Sequence, residues 1–145
     1  MVTVAEILSR KGSRVVSAPP ETSILDAAIL MNQSRVGSVV VTDRASGAIV
    51  GILSERDILT RLVAAERDAR RTAIRDIMTS PVICCERTTS IDELRAIMHA
   101  RRIRHIPVRD ENGVCGMVSI GDVNAWHADG LEQTVHALED YVTRG

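Results

Sequence analysis

Two short stretches of this chain carry the same reactive groups at the same spacing: Ser54-Glu55-Arg56-Asp57 and Ser119-Ile120-Gly121-Asp122. A serine followed three residues later by an aspartate supports two kinds of chemistry. At a helix start the hydroxyl accepts from a free backbone N–H and the carboxylate complements the positive helix end, a capping-box arrangement. In a cleft the same groups bind a ligand: the carboxylate accepts from neighbouring hydroxyls, as a sugar presents them, and the hydroxyl and bare N–H groups suit a phosphate. A second constellation, Arg101-Arg102-Ile103-Arg104-His105-Ile106, is strongly basic. A charge run at a helix end is commonly solvated and favoured by the helix dipole, which suits Arg101. The other members precede a buried strand, where alternation turns some of them toward a cleft, and guanidinium groups pair with phosphate through two parallel bonds.

Enzyme chemistry finds less support. No glycine-rich phosphate loop is present, and no cysteine stands beside a base in a recognisable motif. Cys84, Cys85 and Cys115 form an odd set without CxxC spacing, so they read as small buried hydrophobes rather than zinc ligands. The sequence predicts no catalytic residue, no metal site and no catalytic cofactor.

The reactive stretches are positioned by a duplication. Gly51-Ile52-Leu53-Ser54-Glu55-Arg56-Asp57-Ile58 returns as Gly116-Met117-Val118-Ser119-Ile120-Gly121-Asp122-Val123, and Ser23/Ser90, Met31/Met98, Arg35/Arg102, Val41/Val108 and Asp43/Asp110 align with them. Each copy reads as a short helix, an extended piece, a capped helix, two strands joined by a hairpin, and a closing helix. The second strand of repeat two contains Pro107, which predicts an edge position or a missing ladder bond. The boundaries predicted are 1–65 for repeat one with its N-terminal helix, 66–73 for a charged linker or solvated helix extension, 74–127 for repeat two and 128–145 for a C-terminal helix. Leu131, Val135, Leu138 and Val142 give that last helix an apolar stripe, which fits a lid or a dimer contact. Each half is too small to cover its own sheet, so the halves are predicted to pack sheet to sheet about a pseudo-twofold axis.

Totals set the outer limits. The chain has 145 residues, 45% apolar and 26% charged, with 18 basic against 19 acidic side chains. That near balance speaks against a nucleic-acid or membrane-surface binder. With one Trp, one Tyr and no Phe, the core must be aliphatic and there is no platform for stacking bases. No apolar run is long enough for a membrane span and the N-terminus lacks a signal-peptide pattern, so the cytoplasm is the expected location.

The duplicated β-α-β-β-α order, closed each time by Gly-apolar-apolar-Ser-x-x-Asp, resembles a tandem pair of CBS domains (a Bateman module), over about residues 3–127. The resemblance implies a mixed α/β (α+β) fold and a free-standing, non-catalytic regulatory module. Such modules bind adenosine compounds in two clefts between the halves, often as homodimers, and sense energy or metabolites for a protein that they regulate. AMP or ATP is the ligand implied first, with NAD and S-adenosylmethionine as others. By resemblance Asp57 and Asp122 match the ribose-binding aspartates, and Ser54 and Ser119 the hydroxyls facing phosphate or ribose. Site one then comprises Ser54, Asp57, Arg102, Arg104, His105 and, near the base, Ile83. Site two comprises Ser119, Asp122, Gly37, Ser38, Arg56 and Val16. The clefts are predicted to be unequal, because Arg35-Val36-Gly37-Ser38 is far less basic than its counterpart, and site one suits several phosphates better. The competing expectation is a protein-interaction scaffold of the same fold, in which each Ser-x-x-Asp is only a cap.

Overall fold

Ser23 and Ser90 set the frame of each repeat. In the computed structural model, which describes residues 2–126 and 138–139, their hydroxyls accept from the backbone N–H groups of Asp26 and Glu93 at 3.1 Å. They start helices α2 (Ile24–Ser34) and α5 (Ile91–Arg101). Both helices stop at an arginine in the left-handed region, Arg35 (φ 55°) and Arg102 (φ 53°). The next residue then folds back, with Val36 N–H on the Met31 carbonyl and Ile103 N–H on the Met98 carbonyl, each at 3.1 Å. Arginine is a costly choice where glycine is usual.

Each capped helix leads into an antiparallel pair. β2 (Ser38–Thr42) pairs with β3 (Ile49–Ser54), and β4 (His105–Asp110) with β5 (Gly113–Ser119). Val41 faces Gly51 and Val108 faces Gly116, so the registers coincide. The flanking parallel strand differs. In repeat one the Val40 N–H donates to the Val16 carbonyl at 3.0 Å, and β1 (Ser17–Ala18) pairs with β2. In repeat two Pro107 stands where Val40 stood and has no N–H to give. The parallel ladder shrinks to one bridge, Cys85 with Val108, the missing bond that Pro107 predicts.

The core is two aliphatic clusters, and their membership crosses the repeats. α1 (Val4–Lys11) buries Val4, Ile7 and Leu8 with Leu94, Met98, Ile106 and Val118 of repeat two. The short α4 (Ile74–Ile77) buries Ile74 and Ile77 with Ile24, Met31 and Leu53 of repeat one. Backbone bonds fix both exchanges: Val4 N–H to the Thr89 carbonyl at 2.9 Å, and Ile74 N–H to the Thr22 carbonyl at 2.8 Å. Gly116 permits the first, since a Cβ there would lie 2.8 Å from Leu8 Cδ2; Gly51 permits the second, where a Cβ would run into Met78. The glycine of the repeated motif therefore serves the helix exchange.

After β3 the chain forms one short helix, α3 (Glu55–Asp57), which widens into a π-helix over Ile58–Val63. The sequence predicts an ordinary helix to about residue 65; instead the Ala64 N–H reaches the Leu59 carbonyl at 2.9 Å. Residues 66–73 are turns rather than a solvated helix. They are tied to α2 by Leu25 N–H to the Ala69 carbonyl (3.1 Å) and Ile24 N–H to the Thr72 carbonyl (2.9 Å). Residues 120–126 form α6 after β5. The expected tail helix lies, apart from residues 138–139, outside the described residues.

Of the cysteines Cys85 is buried and Cys84 and Cys115 are partly so, all with free thiols. Burial, helped by the two neighbouring thiols, pushes Cys85 up to about 12, so it stays an unreactive thiol at neutral pH.

Candidate functional site

Both Ser-x-x-Asp segments complete their caps. Asp57 N–H donates to Ser54 Oγ at 3.2 Å while Asp57 Oδ2 accepts from the Ser54 N–H at 3.0 Å. Asp122 N–H donates to Ser119 Oγ at 3.1 Å while Asp122 Oδ2 accepts from the Ser119 N–H at 2.8 Å. Capping is thus a real role of the motif, and the remaining donors distinguish the copies.

Asp57 is only 7% exposed. Its Oδ2 also accepts from Ser54 Oγ at 3.1 Å, and its Oδ1 accepts from Thr79 Oγ1 at 3.1 Å. Thr79 is brought there by a two-way backbone bridge to Ile52, with N···O distances of 2.9 and 3.0 Å. Arg61, one helical turn on, sits with Nε 3.9 Å from Asp57 Oδ1, and its Nη1 donates to the carbonyls of Ile77 and Met78 at 3.1 Å. Arg61 therefore clasps the exchanged α4 to the Asp57 turn.

Asp122 has a different partner. Lys11, the last residue of α1, places Nζ 2.7 Å from Asp122 Oδ2 and 2.9 Å from the Met117 carbonyl oxygen. Burial pushes the Asp122 carboxyl up, but the Lys11 hydrogen bond and the Ser119 N–H outweigh it, leaving the group below the ordinary carboxylate range. Beside it Arg10 lies over the Trp126 ring at 4.2 Å, a second link from α1 to α6.

A cleft of about 940 Å³ opens between the repeats. Of the residues assigned to site one, Ser54, Asp57, Arg102, Arg104 and His105 line it. So do Gly37, Arg56 and Ser119, which the sequence assigns to site two, so that one cavity draws on both sets. Ser38, Val16, Ile83 and Asp122 do not line it. Ser38 is buried within β2, Val16 packs on the core of repeat one with its carbonyl taken by Val40, and Asp122 is held by Lys11. The apolar wall is built from Ile52, Leu59, Ile103 and Ile120 instead. Thr79 and Arg61 were missed by sequence reasoning. The i, i+4 spacing of Asp57 and Arg61 was an available signal for the second.

Five arginines (56, 61, 101, 102 and 104) face Glu55 and Asp57 around this cleft, an excess of positive charge suited to an anion. The repeats meet at its floor: a Cβ on Gly37 would lie 3.5 Å from both His105 Nε2 and the Glu55 carboxyl carbon. Burial above all lowers the His105 pKa, with Lys11 and Arg104 pushing the same way and Glu55 and Asp122 opposing. The imidazole is therefore neutral near pH 7. Among the described residues no group of three or more His, Cys, Asp or Glu side chains could hold a metal ion, and no helix is long and apolar enough to cross a membrane.

Comparison with known proteins matches the chain twice to the CBS domain, over residues 4–64 and 74–128. The mitochondrial CBS domain-containing protein CBSX3 of Arabidopsis thaliana is 36% identical over 150 residues, covering 99% of this chain and 73% of that protein. Among solved structures, a CBS-domain containing protein from Agrobacterium tumefaciens is 35% identical with a TM-score of 0.81, covering 87% of this chain and 99% of that one. A CBS domain protein from Pyrobaculum aerophilum, solved in complex with AMP, is 32% identical with a TM-score of 0.74, covering 83% and 89%.

Proposed function

This chain belongs to the CBS-domain family, as a tandem pair, and from that premise we propose that it is a non-catalytic regulatory module whose central cleft binds an adenine ribonucleotide. The observation that carries the reading is the cleft itself. One cavity joins a buried carboxylate, Asp57, whose added donors are exchangeable hydroxyls, to a rim of arginines. A ribose diol fits the first and phosphates the second. The AMP complex of the Pyrobaculum aerophilum relative supports this choice of ligand class. ATP, NAD and S-adenosylmethionine share the adenosine portion and belong to the same reading. So do a homodimer and a regulated partner protein, which come from the family resemblance, and a cytoplasmic location, which is the expectation from the sequence, although the Arabidopsis relative is named as mitochondrial.

Sensing requires that the ligand bind two arrangements of the protein unequally. The cleft is lined by both repeats, so a ligand there contacts two parts whose relative pose can change. A scaffold with degenerate sites is the second reading, favoured by the completed caps at both aspartates.

The deciding experiment is calorimetric titration of nucleotide-stripped protein with AMP, ATP, NAD and S-adenosylmethionine. Saturable binding supports the module and ranks its ligands; flat traces at millimolar concentrations of all four favour the scaffold. Arg104→Ala tests the phosphate assignment. It should weaken ATP by about tenfold, the lower end for a charged hydrogen bond, and leave adenosine unchanged. Equal losses for both would remove Arg104 from the phosphate site.

His105 adds a dependence on pH. Its pKa in the free protein lies below the ordinary value of about 6.5, and a neighbouring phosphate would raise it. Proton uptake then accompanies binding, so affinity for ATP rises as pH falls from 8 to 6.5, by at most about tenfold per pH unit for one linked proton. His105→Gln should flatten that difference, measured by the same titration at each pH.

A further inference from the structure

The two repeated aspartates differ in what a ligand must displace to reach them. At Asp57 the donors beyond the cap N–H are two hydroxyls, Ser54 Oγ and Thr79 Oγ1, each at 3.1 Å. A hydroxyl is neutral and rotates, so ribose hydroxyls replace it like for like. Asp57, Ser54 and Thr79 also line the open cleft together. At Asp122 the competing donor is an ammonium at 2.7 Å, anchored a second time on the Met117 carbonyl at 2.9 Å. Charge-assisted bonds of this kind are about twice as strong as neutral ones. With the Ser119 N–H on the same Oδ2 at 2.8 Å, that oxygen already has two donors, the usual capacity of its lone pairs. A diol that needs both carboxylate oxygens has to evict the lysine. The cleft lining accordingly runs through Ser119, Ile120 and Gly121 and stops short of Asp122.

The asymmetry is written in the register of the exchanged helices. Leu8 and Met78 occupy equivalent places, each against the motif glycine of the other repeat's return strand. Three residues on, Lys11 in the first repeat corresponds to Pro81 in the second. α1 stays helical as far as Lys11, whereas α4 ends at Ile77. Only Asp122 can therefore be given a cation by an exchanged helix; at Asp57 the nearest cation, Arg61, keeps its Nε 3.9 Å from Oδ1 and spends Nη1 on the Ile77 and Met78 carbonyls.

We infer that Lys11 is a built-in counter-ion that closes the carboxylate of Asp122 to ribose, so that each chain takes one adenine ribonucleotide, at Asp57. The inference rests on the nucleotide reading above. It makes Lys11 a residue that sets binding stoichiometry, held on an N-terminal helix and acting across the repeats.

The test is the number of AMP molecules bound per chain, measured by calorimetry on the full chain. The wild type should bind one, and Asp57→Asn should weaken that site by up to about 100-fold. Lys11→Met keeps the aliphatic stem, removes the charge and should bind two. The double variant Lys11→Met/Asp57→Asn should bind one, at Asp122, and lose it when Asp122→Asn is added. Lys11→Gln serves as a second neutral variant should Lys11→Met fold poorly. Two molecules bound by the wild type would overturn the inference, as would one molecule bound by both neutral lysine variants; either result leaves the nucleotide reading intact. No binding to any variant would overturn both.

Discussion

Asp57→Ala should reduce affinity for AMP by about 100-fold while leaving the protein folded. The carboxylate would accept two ribose hydroxyls, and hydrogen bonds to a charged group contribute about 1.5–3 kcal/mol each. Losing them costs about 3 kcal/mol of binding, or two orders of magnitude. The same change removes a completed cap, worth about 1 kcal/mol of stability, and leaves Thr79 Oγ1 without its acceptor. Two readouts are therefore needed: calorimetric titration for affinity and urea unfolding for stability. A loss of about 1 kcal/mol with unchanged affinity would assign Asp57 to capping alone and move the protein to the scaffold reading.

The second large effect concerns stability. Gly51→Ala places a methyl group against Met78, 2.9 Å from its Cγ, and 3.1 Å from the Thr79 carbonyl oxygen. Backbone cannot yield as a side chain does, so the cost should be about 1–3 kcal/mol, the range for overpacked sites. For a chain of this length each kcal/mol lowers the unfolding midpoint by about 4 °C. Gly121→Ala is the internal control, since a Cβ there meets only Ser119 Oγ at 3.5 Å, an ordinary contact. Equal midpoints for the two variants, in a thermal melt followed by circular dichroism, would show that Met78 and Thr79 relax away from the added methyl.

How much of this was legible beforehand depends on whether a feature is local. The caps at Ser54 and Ser119 follow from hydrogen bonds across three residues and form as read; for the two long helices the sequence allows Thr22 or Ser23 and Thr89 or Ser90, and Ser23 and Ser90 are the caps. The missing ladder bond at Pro107 follows from one absent N–H. The paired registers follow from the duplication. By contrast, Thr79 reaches Asp57 only because the segment after α4 bridges to Ile52, a contact between residues 27 positions apart. Lys11 reaches Asp122 across 111 positions, and neither residue carries a local pattern that announces its partner. The motif glycine shows the same limit. Its recurrence was plain, but whether it clears space for a ligand or for a helix depends on which helix arrives. Val16 and Ile83 come to the site only through the family resemblance. In the structure the cleft's apolar wall comes from Ile52, Leu59, Ile103 and Ile120.

The exchange of α1 and α4 also bears on how the molecule assembles. Neither repeat contains its own complete core: repeat two lacks Val4, Ile7 and Leu8 until the first residues of the chain arrive, and repeat one lacks Ile74 and Ile77. A boundary drawn at the linker separates the copies of the duplicated sequence but cuts through both folding units. Closing the cluster of repeat two joins Val4, Ile7 and Leu8 to Leu94, Met98, Ile106 and Val118, from 86 to 114 positions apart, an ordering cost met late, so contact formation is strongly non-local. The two halves should accordingly gain and lose structure together, in one cooperative transition rather than two. The gene-level repeat and the physical module are thus different divisions of the same chain.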